Sequence, residues 1–300
     1  MRFMVRLLAL VMAVLMAVVV SACGRALQEP TVAGPGITAV YFTGDAGMLG
    51  PDSEEWQKAP QFAVSLLPQD LTDPKLMDVA ISQIRVRALC DGQRIAFRLE
   101  WDDPTQDMIS EGGRFSDAVA IQLPPAPGGQ VPDPTMGLAG QPVLIHLWKA
   151  CYQRRLELGP WDIRQTFPNA TVDHYPFEAA PNEERGQLTA QYTIALAAGN
   201  PLAGQRISSV DDLTAEGFGT LRPLAAQAST GKGQWVSGTW SVVITRPLSF
   251  PQWVSGPGFK PGDQTFAAFA VWDGGLDNAG SRKVRSVWTP LTVSAGGANG

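Results

Sequence analysis

Residues able to do chemistry are few in this 300-residue chain. It has two histidines, His146 and His174, and three cysteines, Cys23, Cys90 and Cys151. Zinc centres draw three or four ligands from such residues, so a zinc enzyme or a multi-cysteine cluster is almost out of reach. No G-x-S-x-G, H-E-x-x-H, P-loop or G-x-G-x-x-G run occurs. C-x-x-C-H is also missing, which excludes covalent c-type haem. His146, inside a strand-like run, reads as a satisfied core or edge histidine before it reads as a ligand. Asp102, Asp103 and Asp107 follow a strand and read as a solvated turn, with a calcium site the weaker reading. Asp273 and Asp277 lack the spacing of an EF-hand loop. A hydrolase has almost nothing to stand on.

Cys23 stands apart because of what precedes it. Arg2 and Arg6 are followed by the uncharged run Leu7 to Ala22, ending Val20-Ser21-Ala22-Cys23. A basic n-region, an apolar h-region and small residues before a cysteine resemble a bacterial lipobox. The expectation is a signal peptide over 1–22, lipidation at Cys23 and a tether over 23–37. The folded part would then sit outside the cytoplasm, anchored by lipid. The other reading is an uncleaved signal anchor. Export bears on the remaining cysteines, since Cys90 and Cys151 can pair in an oxidising compartment. The competing reading is two unrelated, buried small side chains.

The rest of the composition describes what must position such residues. The chain is 45% hydrophobic and 17% charged, with 31 glycines and 24 prolines. That composition suits many short strands and turns and excludes a disordered chain. Net charge is -5 and no basic stretch occurs, which argues against nucleic acid as a partner. Val79–Leu89 alternates in part, Asp91-Gly92 makes a hairpin turn, and Ile95, Phe97, Leu99 and Trp101 then share one face. Further strand-like runs are Ala118–Leu123, Val143–Ala150, Leu188–Ala197, Gly238–Arg246, Thr265–Trp272 and Val287–Val293. Ser209–Glu216 reads as a minor helix capped by Ser209. These elements predict one all-β domain over 38–300, an antiparallel β-sandwich, with a Pro-punctuated irregular insertion over 152–213.

An ordered set of segments resembles a known family. They are Asp91-Gly92 through Phe97-Arg98-Leu99-Glu100-Trp101-Asp102-Asp103; Phe115-Ser116-Asp117-Ala118-Val119-Ala120-Ile121-Gln122-Leu123-Pro124; Met136-Gly137 with Gly140-Gln141-Pro142-Val143, leading to Trp148-Lys149-Ala150; Ala215-Glu216-Gly217-Phe218-Gly219; Trp240-Ser241-Val242-Val243-Ile244-Thr245-Arg246-Pro247-Leu248; and Phe269-Ala270-Val271-Trp272-Asp273-Gly274 with Arg282-Lys283 and Ser286. Together they resemble the haem-b-binding γ subunits of the ethylbenzene dehydrogenase type. These belong with the type II DMSO-reductase-like molybdenum enzymes, whose relatives include dimethylsulfide dehydrogenase and selenate, chlorate and nitrate or nitrite oxidoreductases. No single segment is diagnostic; the order is.

The resemblance implies one non-covalent b haem at one end of the sandwich, ligated by methionine and lysine. By position these map onto Met136 and Lys283. Arg282 and Arg285 make the surroundings of Lys283 more basic than a buried iron would suggest. Lys149 is the rival lysine, as a ligand or as a partner of a haem propionate. The resemblance further implies a non-catalytic electron-transfer subunit, partnered by an iron–sulfur β subunit and a molybdenum catalytic α subunit. The alternative from another class is a haem-free, carbohydrate-binding-like sandwich lipoprotein, which would carry an exposed aromatic platform.

Overall fold

The cleanest alternation in the chain, Arg94 to Asp102, forms a strand whose Ile95, Phe97, Leu99 and Trp101 are all buried, while Arg98 and Glu100 pair on the other side at 3.0 Å. The computed structural model describes residues 36–128, 130–159, 161–171, 194–203, 205–249 and 258–296. These residues belong to one unit, Val32–Gly300. Its strands are β1 (Ile37–Tyr41), β2 (Phe62–Ser65), β3 (Gln83–Cys90), β4 (Arg94–Asp102), β5 (Ala118–Leu123), β6 (Val143–Lys149), β7 (Val210–Ala215), β8 (Arg222–Pro223), β9 (Thr230–Val236), β10 (Thr239–Pro247), β11 (Gln264–Trp272), β12 (Val284–Arg285) and β13 (Thr289–Val293). Helix α1 (Ala150–Leu158) continues directly from β6. No helix among the described residues is long and apolar enough to cross a membrane.

The turn between β3 and β4 shows how local chemistry sets the register. Asp91 Oδ1 accepts from the N–H groups of Gln93 and Arg94 at 2.8 and 2.7 Å, and Gly92 takes a φ of 90°. An Asx-type turn with glycine in the left-handed region is the expected hairpin solution.

The strands form one continuous ladder in the order β8-β7-β6-β5-β11-β13-β1-β3-β4-β10-β9, with β2 beside β3 and β12 beside β11. The ladder turns over at β11. Residues 264–267 pair with β13, and residues 268–272 pair with β5. One core cluster then draws Val119, Ile121 and Phe269 from one layer and Val86, Phe97 and Val242 from the other, as expected of an all-β sandwich. All neighbours are antiparallel except β1, which runs parallel to β3 and β13. Across the layers Trp148 meets Trp240 edge-on, with centroids 5.2 Å apart, and Trp240 stacks on Trp101 at 6.1 Å. Gly233 in β9 is what admits Trp148, since a Cβ there would lie 2.4 Å from the indole.

Four expectations need correction. Ser209–Glu216 holds strand β7, Val210–Ala215, not a helix. Ser209 Oγ donates to the carbonyl of Gly231 at 2.6 Å and caps nothing, while Asp211 meets Arg206 at 2.8 Å and Asp212 meets His146 at 2.6 Å. Partners from elsewhere in the chain overrode the local helix pattern. The stretch read as an insertion over 152–213 accordingly ends before Val210, and it opens with most of α1. Of the run Leu188–Ala197, the described part, Ile194–Ala197, is a helical turn rather than a strand. At the N-terminus β1 starts at Ile37, the last residue of the stretch read as tether.

The two cysteines are both free. Cys90 pairs with Ile95 at one end of β4, and its sulfur accepts from Gly92 N–H at 3.3 Å. Cys151 donates its N–H to Ser116 Oγ at 2.9 Å, at the end where Trp240 pairs with Trp101. Ile95 to Trp101 spans roughly 20 Å of extended chain, and a disulfide needs Cα atoms within about 7 Å. Alkylation of the unfolded, unreduced protein should therefore modify both Cys90 and Cys151. Mass spectrometry that finds neither modified would restore a bond between them.

Candidate functional site

Strand β5 is buried at all its positions, on both faces. An antiparallel strand with one face in water would alternate apolar and polar residues. Here Val119, Ile121 and Leu123 enter the core between the layers. Ala118, Ala120 and Gln122 point outward instead, next to Ala268, Ala270 and Trp272 of β11 and Ile145, Leu147 and Lys149 of β6. Short alanine side chains leave room above this floor for a cavity of about 470 Å³, within the size range of cofactor and ligand sites. Segments around Pro134–Met136, Phe218–Leu221 and Asn278–Ser286 wall it.

Met136 reaches the cavity from a strained turn. It takes a φ of 76°, rare for a side chain of this size, and Gly137 follows with the same value. The turn is clamped from both sides. Met136 carbonyl accepts from Gly217 N–H at 2.8 Å, and Gly137 N–H donates to Asp133 carbonyl at 2.9 Å. Any Cβ on Gly137 would lie 2.5 Å from the carbonyl oxygen of Gln141, so only glycine fits.

Lys283 comes from the opposite wall. The pairing of Val284 with Val271 and of Arg285 with Ala270 sets it beside Trp272, and its Nζ lies 5.1 Å from that indole's centroid. Lys283 Nζ is 3.9 Å from Met136 Sδ. Burial, and then the charge of Arg285, lower the Lys283 pKa to about 8. The basic neighbourhood that looked unsuitable for a ligand therefore favours the neutral amine.

The remaining sequence candidates are placed as follows. Lys149 also lines the cavity, with its Nζ 5.1 Å from the Tyr152 ring centroid rather than beside Met136. His146 is fully buried, 2.6 Å from Asp212 and 3.2 Å from Ser229 Oγ, and burial lowers its pKa. It is a core residue and does not line the cavity. Cys23, His174 and the segment 1–22 lie outside the described residues.

The acidic cluster is not the solvated turn that Asp102, Asp103 and Asp107 suggested. Asp102 is exposed and pairs with Arg85 at 2.8 Å. Asp103 is fully buried and joins Asp117 and Asp273, one carboxylate oxygen from each within 4.8 Å of the others. Asp117 accepts from Asp107 N–H at 2.7 Å, Gly274 N–H at 2.8 Å and Trp240 Nε1 at 2.9 Å. Burial, then neighbouring carboxylates, push Asp117 up to about 7 and Asp103 up to about 6. Such a cluster shares protons or takes up a hard cation. Sequence reasoning missed it because Asp103, Asp117 and Asp273 lie far apart in the chain. The available sign was that each sits in a separate segment of the family resemblance. The doubly apolar run Ala118–Leu123 was the corresponding sign of the cavity floor.

Comparison with known proteins adds four findings. A family model described as ethylbenzene dehydrogenase matches residues 53–284. A Haloferax mediterranei protein with the provisional description of a respiratory nitrate reductase heme subunit is 24% identical over 239 residues. That match covers 79% of this chain and 66% of the relative, so the chain spans just under two thirds of the relative's length. Among solved structures, a provisionally described carbohydrate-binding protein from Bacteroides uniformis is 10% identical with a TM-score of 0.43, covering 88% of this chain and 94% of that one. A family 9 carbohydrate-binding module from Caldicellulosiruptor kristjanssonii, solved with glucose, is 7% identical with a TM-score of 0.39, covering 88% and 97%.

The carboxylate cluster makes a pH prediction. Asp117 is held near 7 in the fold and returns to about 4 on unfolding. A raised folded pKa gives stability that is complete below about pH 4 and is lost as pH rises through about 7. In metal-free buffer with a chelator, denaturant unfolding should show stability falling between pH 5 and 8. Asp117→Asn should flatten most of that slope and lower stability at pH 5 by about 1–3 kcal/mol, since its amide cannot accept from every donor. Identical slopes in the two proteins would mean that the carboxylate titrates normally.

Proposed function

The chain belongs to the ethylbenzene dehydrogenase family, and from that premise we propose that it is the haem b electron-transfer (γ) subunit of a membrane-associated molybdenum enzyme complex. The observation that carries this reading is the facing pair of Met136 thioether and Lys283 amine in the wall of an apolar cavity. A thioether and an amine free to become neutral are a donor set that fits a haem iron. Met136 and Lys283, 3.9 Å apart, are the residues that would hold the iron. The description of the Haloferax mediterranei relative as a heme subunit supports the same reading.

A b haem bound there supplies a one-electron ferric–ferrous couple. Met136 brings a soft sulfur that favours the ferrous state and a higher potential. Lys283 ligates only as the free amine, which its burial and Arg285 already favour. With Met136 and Lys283 both holding the iron, oxygen and substrate would be kept off it. Such a site carries electrons and does no substrate chemistry. Its partners would be an iron–sulfur subunit and a molybdenum catalytic subunit, with the chain held outside the cytoplasm by lipid on Cys23. The sugar-platform alternative needs exposed aromatic rings, and among the described residues these are Phe167 and Phe218, the second of which lines the cavity.

Absorption and electron paramagnetic resonance spectra of haem-replete protein test this. The wild type should be low-spin in both oxidation states and slow to bind carbon monoxide. Met136→Ala should stay folded, become high-spin or water-ligated, hold haem less tightly and fall in potential. Lys283→Ala should also open the iron, while Lys149→Ala should leave the low-spin spectrum intact. Rapid carbon monoxide binding by the wild type would refute two-ligand coordination, and collapse only in Lys149→Ala would move the ligand to β6.

Anchoring is tested separately. Cys23→Ala should abolish incorporation of a clickable fatty acid and alter processing. Equal labelling of the variant and the wild type would remove the lipoprotein assignment.

A further inference from the structure

The cavity has a charge pattern unlike that of the chain as a whole. Acidic residues outnumber basic ones, 28 to 23. Yet Lys149, Lys283 and Arg285 line the cavity, and no Asp or Glu among the described residues does. An apolar chamber with only cations in its wall suits a ligand with an apolar body and acidic edge groups. In the function proposed above, on which this inference rests, Lys283 is taken by the iron. Arg285 and Lys149 are left.

Arg285 is the better placed of these. Its backbone is held on both sides, by pairing with Ala270 of β11 and by two hydrogen bonds to Leu67 at 2.7 and 3.0 Å. The side chain is only 16% exposed. The one ion pair seen for it is to Asp70, half-exposed and 3.6 Å away, too long for a hydrogen bond. Its Nε is buried and has no hydrogen-bond partner among the described residues. A guanidinium taken out of water is costly unless a hydrogen-bonded anion answers it. Lys149 is in a different situation, at the end of β6 with its ammonium over Tyr152.

We infer that Arg285 receives a carboxylate of the porphyrin held in the cavity, and so fixes which way the macrocycle enters. The guanidinium offers a fork of donors that matches a carboxylate and strengthens in a low-dielectric wall. Free acid groups on the ligand then become a requirement of tight binding, in addition to the iron bonds.

The test titrates the full-length protein, freed of haem, with iron protoporphyrin IX and with its dimethyl ester, which keeps the iron and loses both acids. Arg285→Gln and Lys149→Gln are compared with the wild type by Soret absorption. Arg285→Gln should bind the free diacid about ten- to a hundredfold more weakly. It should weaken binding of the ester far less, by what the loss of its charge beside Lys283 costs, and keep the low-spin spectrum. Equal weakening for both porphyrins would overturn the inference, because the residue would then act through Lys283 or the fold. Unchanged diacid affinity would overturn it too, as would a diacid-selective loss confined to Lys149→Gln. A wild type that gives no Soret complex with either porphyrin would overturn the haem reading itself, and this inference with it.

Discussion

The buried carboxylate of Asp117 is the constraint to which the working end of this protein is tied. A carboxylate with no exposure needs donors, and these come from three places: the backbone of Asp107, the backbone of Gly274 and the indole of Trp240. Satisfying one side chain thus joins the connection before β5, strand β10 and the turn after β11. The carbonyl of the same residue accepts from Ala150 N–H at 2.9 Å, where β6 passes into α1. Ala118, the next residue, begins the cavity floor, and the turn at Gly274 leads on to Lys283. Displacing this acid would shift both.

The second constraint is the strand layer that is apolar on both sides. Val119 and Ile121 are buried between the layers, and Ala118 and Ala120 are buried on the outer face. Leaving that outer face in water would cost about 25 cal/mol for each Å². Overlying segments cover much of it, but the alanines are too short for the cover to close, and a cavity remains. The turn that brings in Met136 pays in backbone strain, with a left-handed φ and a glycine that no other residue can replace. Strain kept at a position that points a soft sulfur into a cavity is what a positioned ligand would require.

Charge follows the same logic. Burial of Lys283 beside Arg285 disfavours its ammonium form. Burial of Asp103 and Asp117 near one another disfavours their carboxylates. Both groups lie away from their usual protonation balance because the segments packed around them exclude water and place like charges close together. Neither effect follows from the residues taken singly.

Much of the layer structure was legible along the chain, because the strand period of two is a local property. Ile95, Phe97, Leu99 and Trp101 announce β4, and Ala118–Leu123 coincides with β5. The family could also be read from the ordered segments, since they keep both their residue types and their sequence. Ser209–Glu216 misled because a serine ahead of the run resembles a helix cap, whereas in the fold its hydroxyl goes to Gly231 and Asp212 meets His146. The possible Cys90–Cys151 bond failed because spacing along the chain says nothing about which end of a sandwich each residue occupies. By itself the sequence determined most of the long strands, the hairpin at Asp91-Gly92 and the family, and it offered Met136 and Lys283 as candidate ligands. Only the tertiary structure decided that Met136 and Lys283 face each other, that Asp103, Asp117 and Asp273 converge, and that the charged residues lining the cavity among the described residues are all cationic. Those are contacts between residues far apart in the chain, and they exist only once the ladder turns over at β11 and brings the segments together.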